Sequence, residues 1–316
     1  MSVLVVGSVA YDSVTTPAGS REAVLGGSAT YFSVASSYFT PVSVVAVVGE
    51  DFQPEHIQLL EGKQVDISGL ERKPGLSFRW TGVYGGEDVN TRDTLDTQLN
   101  VFAEFSPSLS SEQKQMQYVF LANIDPDLQF NVLEQLKSTP KLVAMDTMNF
   151  WIRGKSEGLR KVLEKVDVLF VDEGEIRDLT GEVNLVAAAK KVMGMGPSVA
   201  VVKRGASGVL LVTRDSAFAT PAFPLDRVVD PTGAGDSFAG GFLGYLASTG
   251  DLSSKGFRRA TALGSVMGSF AVESFSLDRL VALTQSDIEF RFRSLSELVH
   301  FVPLGDVETL PWRPGN

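Results

Sequence analysis

The chain contains no cysteine. That absence removes disulfides, thiolate metal sites and cysteine nucleophiles together, and it fits a reducing compartment. Histidine is nearly missing as well: His56 and His300 are the only two in 316 residues. Histidine-based triads and multi-histidine zinc sites therefore have too few members to form. No stretch approaches the ~18 consecutive apolar residues of a membrane helix. The apolar start, Met1 to Gly7, has neither a basic lead nor a hydrophobic region of signal-peptide length. A cytoplasmic location is the expectation, with no membrane partner. Positive charge is scarce: 28 Lys and Arg against 38 Asp and Glu give a net charge of -10 and a pI near 4.8. Such a surface repels phosphate backbones, so no nucleic acid partner is expected, although a local positive pocket for one nucleotide is compatible with it. Internal repeats and low-complexity segments are also absent.

What is present reads as an ordinary globular chain, 44% hydrophobic and 21% charged. Short β-prone apolar runs recur at Val3–Val6, Val42–Val48, Tyr118–Ala122, Leu142–Met145, Asp167–Val171, Val199–Val202 and Val209–Val212. Most are continuous rather than alternating, which suits strands buried on both faces of a parallel sheet. Helix-period segments lie between several of them: Asp127–Lys137, Glu157–Lys165 and Asn184–Met193, the last followed by Gly194 and Gly196. Alternating strand and helix predicts an α/β fold, a mostly parallel sheet covered by helices on both faces, with residues 1–316 as one domain. Leu76 to Phe105 breaks the rhythm: two β-prone stretches flank a turn at Gly85-Gly86-Glu87-Asp88 with no helix between them. A small sheet projecting from the core accounts for it. Lys255–Val272 and Ser286–Leu298 read as helices, and Arg291 and Arg293 are expected on a solvated face.

The most informative stretch runs from Asp230 to Gly241: Asp-Pro-Thr-Gly-Ala-Gly-Asp-Ser-Phe-Ala-Gly-Gly. Pro231 ends an extended run, and Gly233-Ala234-Gly235 leads into a helix-compatible segment, Asp236 to Ala247. A helix start with small residues leaves backbone N–H groups free, carries partial positive charge and admits a phosphate to close range. Asp236 in the first turn has two readings. One is a carboxylate stabilised by the helix dipole. The other is a general base that accepts a hydroxyl proton while adjacent N–H groups hold a transferring phosphoryl group. A carboxylate beside a phosphate site is repelled unless it has a task or a metal, which favours the second.

This stretch resembles the signature of the ribokinase-like, PfkB-type carbohydrate kinases, and the resemblance extends over nearly the whole chain in order. Gly7-Ser8-Val9-Ala10-Tyr11-Asp12 resembles the family's first strand and its substrate-hydroxyl aspartate. Gly26-Gly27-Ser28-Ala29-Thr30 resembles the di-glycine element lining the sugar site. Gly49-Glu50-Asp51-Phe52, Gln64 to Leu70, Asp172-Glu173-Gly174-Glu175 and Val202-Lys203-Arg204-Gly205-Ala206-Ser207-Gly208 resemble four further elements. The resemblance implies an ATP- and magnesium-dependent kinase on a Rossmann-like sheet with a small β-sheet lid, the lid pieces falling at about 13–25 and 76–105. It implies Asp236 as base, with Gly233, Ala234 and Gly235 offering N–H groups to the phosphoryl oxygens. Asp12, Gly26, Gly27 and Ser28 would hold the substrate, Asp12 through two neighbouring hydroxyls. Glu175, with Asp172, would organise magnesium through water. Lys203 and Arg204 would offset phosphate charge, with solvated loop charges as the other reading, while Gly205 and Gly208 would shape the adenine side. Asp230 and Thr232 fall where some relatives coordinate a monovalent cation, so potassium dependence is an expectation to test. Lids of several relatives pair between subunits, so a homodimer is expected.

Two departures stand out. Asp172 replaces the usual Asn of the Asn-x-x-Glu element, adding a negative charge near the phosphates. Ser28, Ala29, Thr30 and Tyr31 follow the di-glycine where ribose-type members carry a Lys, making the site less charged and more aromatic. With Phe32, Phe102, Asn123, Asn149, Phe150 and Trp151 as further lining residues, the substrate reads as a sugar or a sugar-containing molecule, with a nucleoside as the alternative. Two competing classes are a non-catalytic sensor, which has no need of Asp236, and a dinucleotide enzyme, which lacks its Gly-x-Gly-x-x-Gly after the first strand.

Overall fold

The computed structural model describes residues 1–85 and 92–311; Gly86, Glu87 and Asp88 of the expected turn lie outside them. The continuous valine runs become the centre of a nine-stranded sheet. Strands β1 (Val3–Val6), β4 (Val42–Val48), β5 (Val65–Arg72), β8 (Tyr118–Leu121), β9 (Leu142–Asp146), β10 (Val168–Asp172) and β11 (Val199–Lys203) pair in parallel, and β12 (Val209–Thr213) and β13 (Ala217–Thr220) close one edge antiparallel. The order is β13-β12-β11-β10-β9-β8-β1-β4-β5. Successive residues of a strand face opposite sides, so β1 splits its apolar side chains between two cores. Val3 and Val5 join Phe32, Phe120 and Phe242 on one face; Leu4 and Val6 join Leu121, Val162 and Val192 on the other.

Helices α1 (Ser28–Ser37), α8 (Ala234–Thr249) and α9 (Ser254–Ala271) supply the first core. Helices α3 (Pro126–Gln135), α5 (Ser156–Leu163), α6 (Glu173–Thr180) and α7 (Leu185–Met193) supply the second. Two short helices, α2 (Pro54–Gly62) and α4 (Asn149–Gly154), complete the connections that concern the site. No helix among the described residues is long and apolar enough to cross a membrane.

A separate four-stranded sheet has the order β3-β2-β6-β7, built from β2 (Ala10–Thr16), β3 (Gly19–Gly26), β6 (Phe78–Tyr84) and β7 (Arg92–Gln98). The second β-prone stretch ends short of Phe105, because Asn100–Glu104 is a 3-10 turn. Val101, Phe102 and Phe105 follow a turn-like spacing rather than alternation. They pack inward, with Phe102 ring centroids 5.6 Å from Phe78 and 5.2 Å from Phe105.

Asp51 clasps the start of β6. Its Oδ1 accepts from the Ser77 N–H and hydroxyl, both at 2.7 Å, and its Oδ2 accepts from Arg79 at 2.8 Å. Burial works against the charged form here, but these donors outweigh it and hold the carboxyl below its ordinary pKa. At the other end Val14, Tyr84 and Phe275 pack together with Trp80 and Val229, and Thr16 donates to the Val229 carbonyl at 2.7 Å. The small sheet is thus seated on the loop that carries Asp230.

One expectation is corrected. Arg291 is not solvated: it pairs with Glu273 at 2.6 Å, and its guanidinium lies 3.6 Å from the centroid of the Phe270 ring. Arg293 is exposed as expected.

Candidate active site

The site grows from the start of α8. Gly233 takes φ 75°, ψ 0°, the left-handed conformation that favours glycine, and its carbonyl receives the Ser237 N–H at 2.8 Å. The Ala234 N–H donates to the Pro231 carbonyl at 3.2 Å. The N–H groups of Gly233, Gly235 and Asp236 find no acceptor among the described residues. They form the positively polarised helix end that suits a phosphate.

Asp236 projects from the first turn of this helix. Desolvation in the cleft pushes its carboxyl up to about 7; Asp146 adds to the rise, Lys203 and Arg92 oppose it, and Asp12 adds again. Asp12, at the cleft's other side on β2, is buried. A Cβ on Gly26 would fall 2.0 Å from its Oδ2, so only glycine leaves room for that carboxylate. Burial raises Asp12 to about 7 as well, eased by the Gly27 N–H at 3.4 Å and increased by Asp230. Burial thus raises both carboxyls toward neutrality, and the charge of Asp12 reaches Asp236, the setting in which general bases are found. Ser28 closes this end, its N–H donating to Ser8 Oγ at 3.0 Å and its hydroxyl 3.1 Å from the same oxygen.

On the other side of Asp236, Lys203 ends β11 and Asp146 ends β9, their Nζ and Oδ2 2.8 Å apart. Burial disfavours the Lys203 ammonium, but Asp146 and Glu175 more than offset it and the pKa rises. Asp172 and Glu175 cap α6 reciprocally: Glu175 N–H donates to Asp172 Oδ1 and Asp172 N–H to Glu175 Oε2, both at 2.7 Å. Glu175 is buried, which raises its pKa. Arg204 pairs with Glu173 at the same helix start rather than standing free in solvent. Gly205 and Gly208 shape the turn joining β11 to β12. A Cβ on Gly208 would meet the Thr220 carbonyl at 2.1 Å.

Asp230 is buried, its Oδ1 accepting from the Thr232 N–H at 2.9 Å while Oδ2 has no partner among the described residues. The Thr232 hydroxyl reaches the Tyr84 hydroxyl of the lid at 3.3 Å. Asn123, after β8, accepts from the Trp151 indole at 3.0 Å. Asn149 opens α4 with its Oδ1 buried and unpartnered, and Phe150 beside it is 63% exposed. No hydrogen bond among the described residues joins either asparagine to Asp12 or Asp236.

Sequence reasoning missed Asp146 and Arg92. Asp146 closes a buried β-run and carries no motif of its own. Arg92, paired in register with Tyr84 and 5.6 Å from the Trp80 ring, sits in a β-prone stretch where nothing marks it.

The profile of the pfkB family carbohydrate kinases matches residues 2–281. Over 254 residues the chain is 31% identical to the cytidine kinase of Thermococcus kodakarensis, covering 78% of this chain and 88% of that protein. Among solved structures, the fructokinase of Vibrio cholerae, bound to fructose, ADP and potassium, superposes with a TM-score of 0.78 at 19% identity, covering 92% of this chain and 98% of that one. The nucleoside kinase of Methanocaldococcus jannaschii does so with a TM-score of 0.73 at 18% identity, covering 93% and 98%. The fold, the Asp230–Asp236 turn and the match over residues 2–281 lead to one conclusion: the chain belongs to the pfkB family of carbohydrate kinases.

Proposed function

We propose that this kinase transfers the γ-phosphoryl group of ATP to a sugar hydroxyl of a nucleoside, with Asp236 as the base. The observation that carries the reading is Asp236 in the first turn of a helix whose start has free N–H groups, its carboxyl raised to about 7 and within reach of the charge of Asp12, itself raised to about 7. Asp12 would accept hydrogen bonds from substrate hydroxyls and so fix which one faces Asp236. Asp236 takes that hydroxyl's proton as the oxygen–phosphorus bond forms and the bond to ADP breaks. The Gly233, Gly235 and Asp236 N–H groups receive the charge growing on the phosphoryl oxygens. Gly205 and Gly208 would border the adenine. The 31% identical relative is named a cytidine kinase, and exposed Phe150, edge-on to Trp151 at 4.8 Å beside Asn123, offers aromatic surface to a base. Both favour a nucleoside over a free sugar.

The residues fit magnesium in the manner usual for it, through one or two carboxylates, water and substrate phosphates. Among the described residues no three acids or histidines converge as a ligand set. Asp146, Glu175 and Asp236 face the single ammonium of Lys203, an acidic excess that a divalent cation would balance. Glu175, with Asp172, would hold the ion through water, and the ion would supply neutralisation of the phosphates. The unpartnered Asp230 Oδ2 fits a monovalent cation such as potassium. A homodimer through the lid is part of the proposal: β3 and β7 are the edge strands of the small sheet, and most of their residues are exposed. Light scattering tests it, and particles of only 34.0 kDa would remove it.

The test is coupled ADP release with magnesium-ATP across nucleosides, pentoses, hexoses and phosphosugars, on the wild type and Asp236→Asn. Nucleoside-dependent turnover that falls ~10²-fold or more in the variant, with ATP binding retained, is expected. A variant with near-normal turnover would refute the assignment of the base.

A further inference from the structure

Lys203 and Asp146 are two strands apart. β9, β10 and β11 are consecutive neighbours, and neighbouring strands are spaced ~4.8 Å apart. The lysine stem therefore crosses the carboxyl end of β10 to bring Nζ within 2.8 Å of Asp146 Oδ2. Asp146 is itself fixed: its side chain is 6% exposed, and its Oδ1 accepts the Thr147 N–H at 2.9 Å. The ammonium ends against the phosphoryl-binding turn, since a Cβ on Gly235 would meet Nζ at 3.0 Å.

Three carboxylates, Asp146, Glu175 and Asp236, compete for this one ammonium. Its flexible four-carbon stem can serve any of them. Had Lys203 paired with Asp236, the base would have lost basicity and a lone pair needed for the substrate proton. The pairing observed is with Asp146, and no hydrogen bond joins Lys203 to Asp236 among the described residues. We infer that Asp146 is a positioning residue for phosphoryl transfer: it draws the Lys203 ammonium away from Asp236 and holds it against Gly235. There it forms the cationic wall of the cleft in which charge develops. Asp146 touches neither substrate; it acts through Lys203. The inference rests on the kinase reading with Asp236 as base.

The experiment uses the full chain as wild type, Asp146→Asn, Lys203→Met and the double variant, with thermal melts as a folding control. Each single variant should lower kcat by ~10²-fold, the scale of one lost transition-state donor, with the KM for the nucleoside changing far less. The double variant should be no worse than Lys203→Met alone, because a residue that acts only through a lysine has nothing left to position. It also removes both charges together, so it reads the coupling even where Asp146→Asn folds poorly. Losses that multiply, to ~10⁴-fold in the double variant with melting preserved, would overturn the inference, as would an Asp146→Asn protein with wild-type kcat. A second readout needs no turnover: the 13C titration of the Asp236 carboxyl in nucleotide-free protein. Its midpoint should move down in Asp146→Asn relative to the wild type, because a neighbouring negative charge is gone and Lys203 is released toward Asp236. An unmoved midpoint would count against the inference independently of whether the protein is a kinase.

Discussion

The ring of Tyr31 occupies the space a side chain on Gly233 would need: a Cβ built there lies 2.3–2.4 Å from three of its carbons. Tyr31 is 1% exposed and belongs to α1, the helix that follows the di-glycine element. Gly233 is the cap residue immediately before α8. Helix α1 and the turn that opens α8 therefore touch without an intervening layer.

Gly233→Ala should accordingly damage both stability and turnover. The substitution places a methyl group in the ring and forces a left-handed φ on an L-residue, costs of ~1–3 kcal/mol each in typical cases. The expected result is a clearly lower melting temperature and a kcat loss of ~10-fold or more. Unchanged melting would contradict the packing.

The acid limb of kcat/KM should fall near pH 7. A base works only when unprotonated, so with Asp236 raised to about 7 activity is lost as pH drops below that value and levels off above it. Asp12 shares the cleft and its raised value, so the apparent midpoints belong to the pair. A flat profile between pH ~5.5 and ~8.5 would be incompatible with this.

The same two carboxyls make the nucleotide-free protein less stable at higher pH. A carboxyl whose folded pKa lies above its unfolded one binds protons more tightly when folded, and that stabilisation is lost as pH rises through the folded value. For Asp12, raised from 3.8 to about 7 and 4% exposed, the loss spans about pH 4 to 7. Its linkage limit is ~4 kcal/mol at ~1.4 kcal/mol per unit. Asp12→Asn should melt higher than the wild type at pH 8 while binding nucleoside far more weakly. Calorimetry at several pH values, paired with binding titrations, checks both halves.

Releasing the clasp at Asp51 should loosen the lid. Asp51→Ala removes the acceptor for Ser77 and Arg79. The expected outcome is a KM for the acceptor raised ~10-fold or more, with more ATP hydrolysed when no acceptor is present, because closure is what excludes water. Unaltered acceptor KM and background hydrolysis would mean that Asp51 serves only the core.

Potassium should raise turnover over sodium, and Asp230→Asn should abolish the difference, since it changes the carboxylate whose Oδ2 lacks a partner. Equal rates in the two buffers would remove the cation from the proposal.

Much of the fold was legible because burial and period coincide. The runs Val3–Val6 and Val42–Val48 became strands with those bounds, and Asn184 caps α7 where the pattern began. The glycine-rich turn before α8 was legible because glycines at a helix start have few other uses. Even so, α8 begins at Ala234, two residues earlier than read, and the Ala234 N–H is spent on Pro231. What the sequence did not disclose is side-chain proximity across distant segments. Lys203 meets Asp146 57 positions away, and Arg92 influences Asp12 and Asp236 from a lid strand. Such meetings depend on strand order and tertiary closure, which no local pattern encodes.

The lid is stitched from two separate parts of the chain. β2 pairs with β3 through a short turn, but its other neighbour is β6, in parallel, with Ala10 opposite Phe78. A parallel partner requires a crossover, and here β4, α2 and β5 lie between the two strands. The small sheet therefore cannot be completed from neighbouring hairpins alone. Its β2–β6 pairing has to close a long loop, an entropic toll that slows non-local pairing. A nascent chain ending before β6 would carry Asp12 on a strand with only half of its sheet.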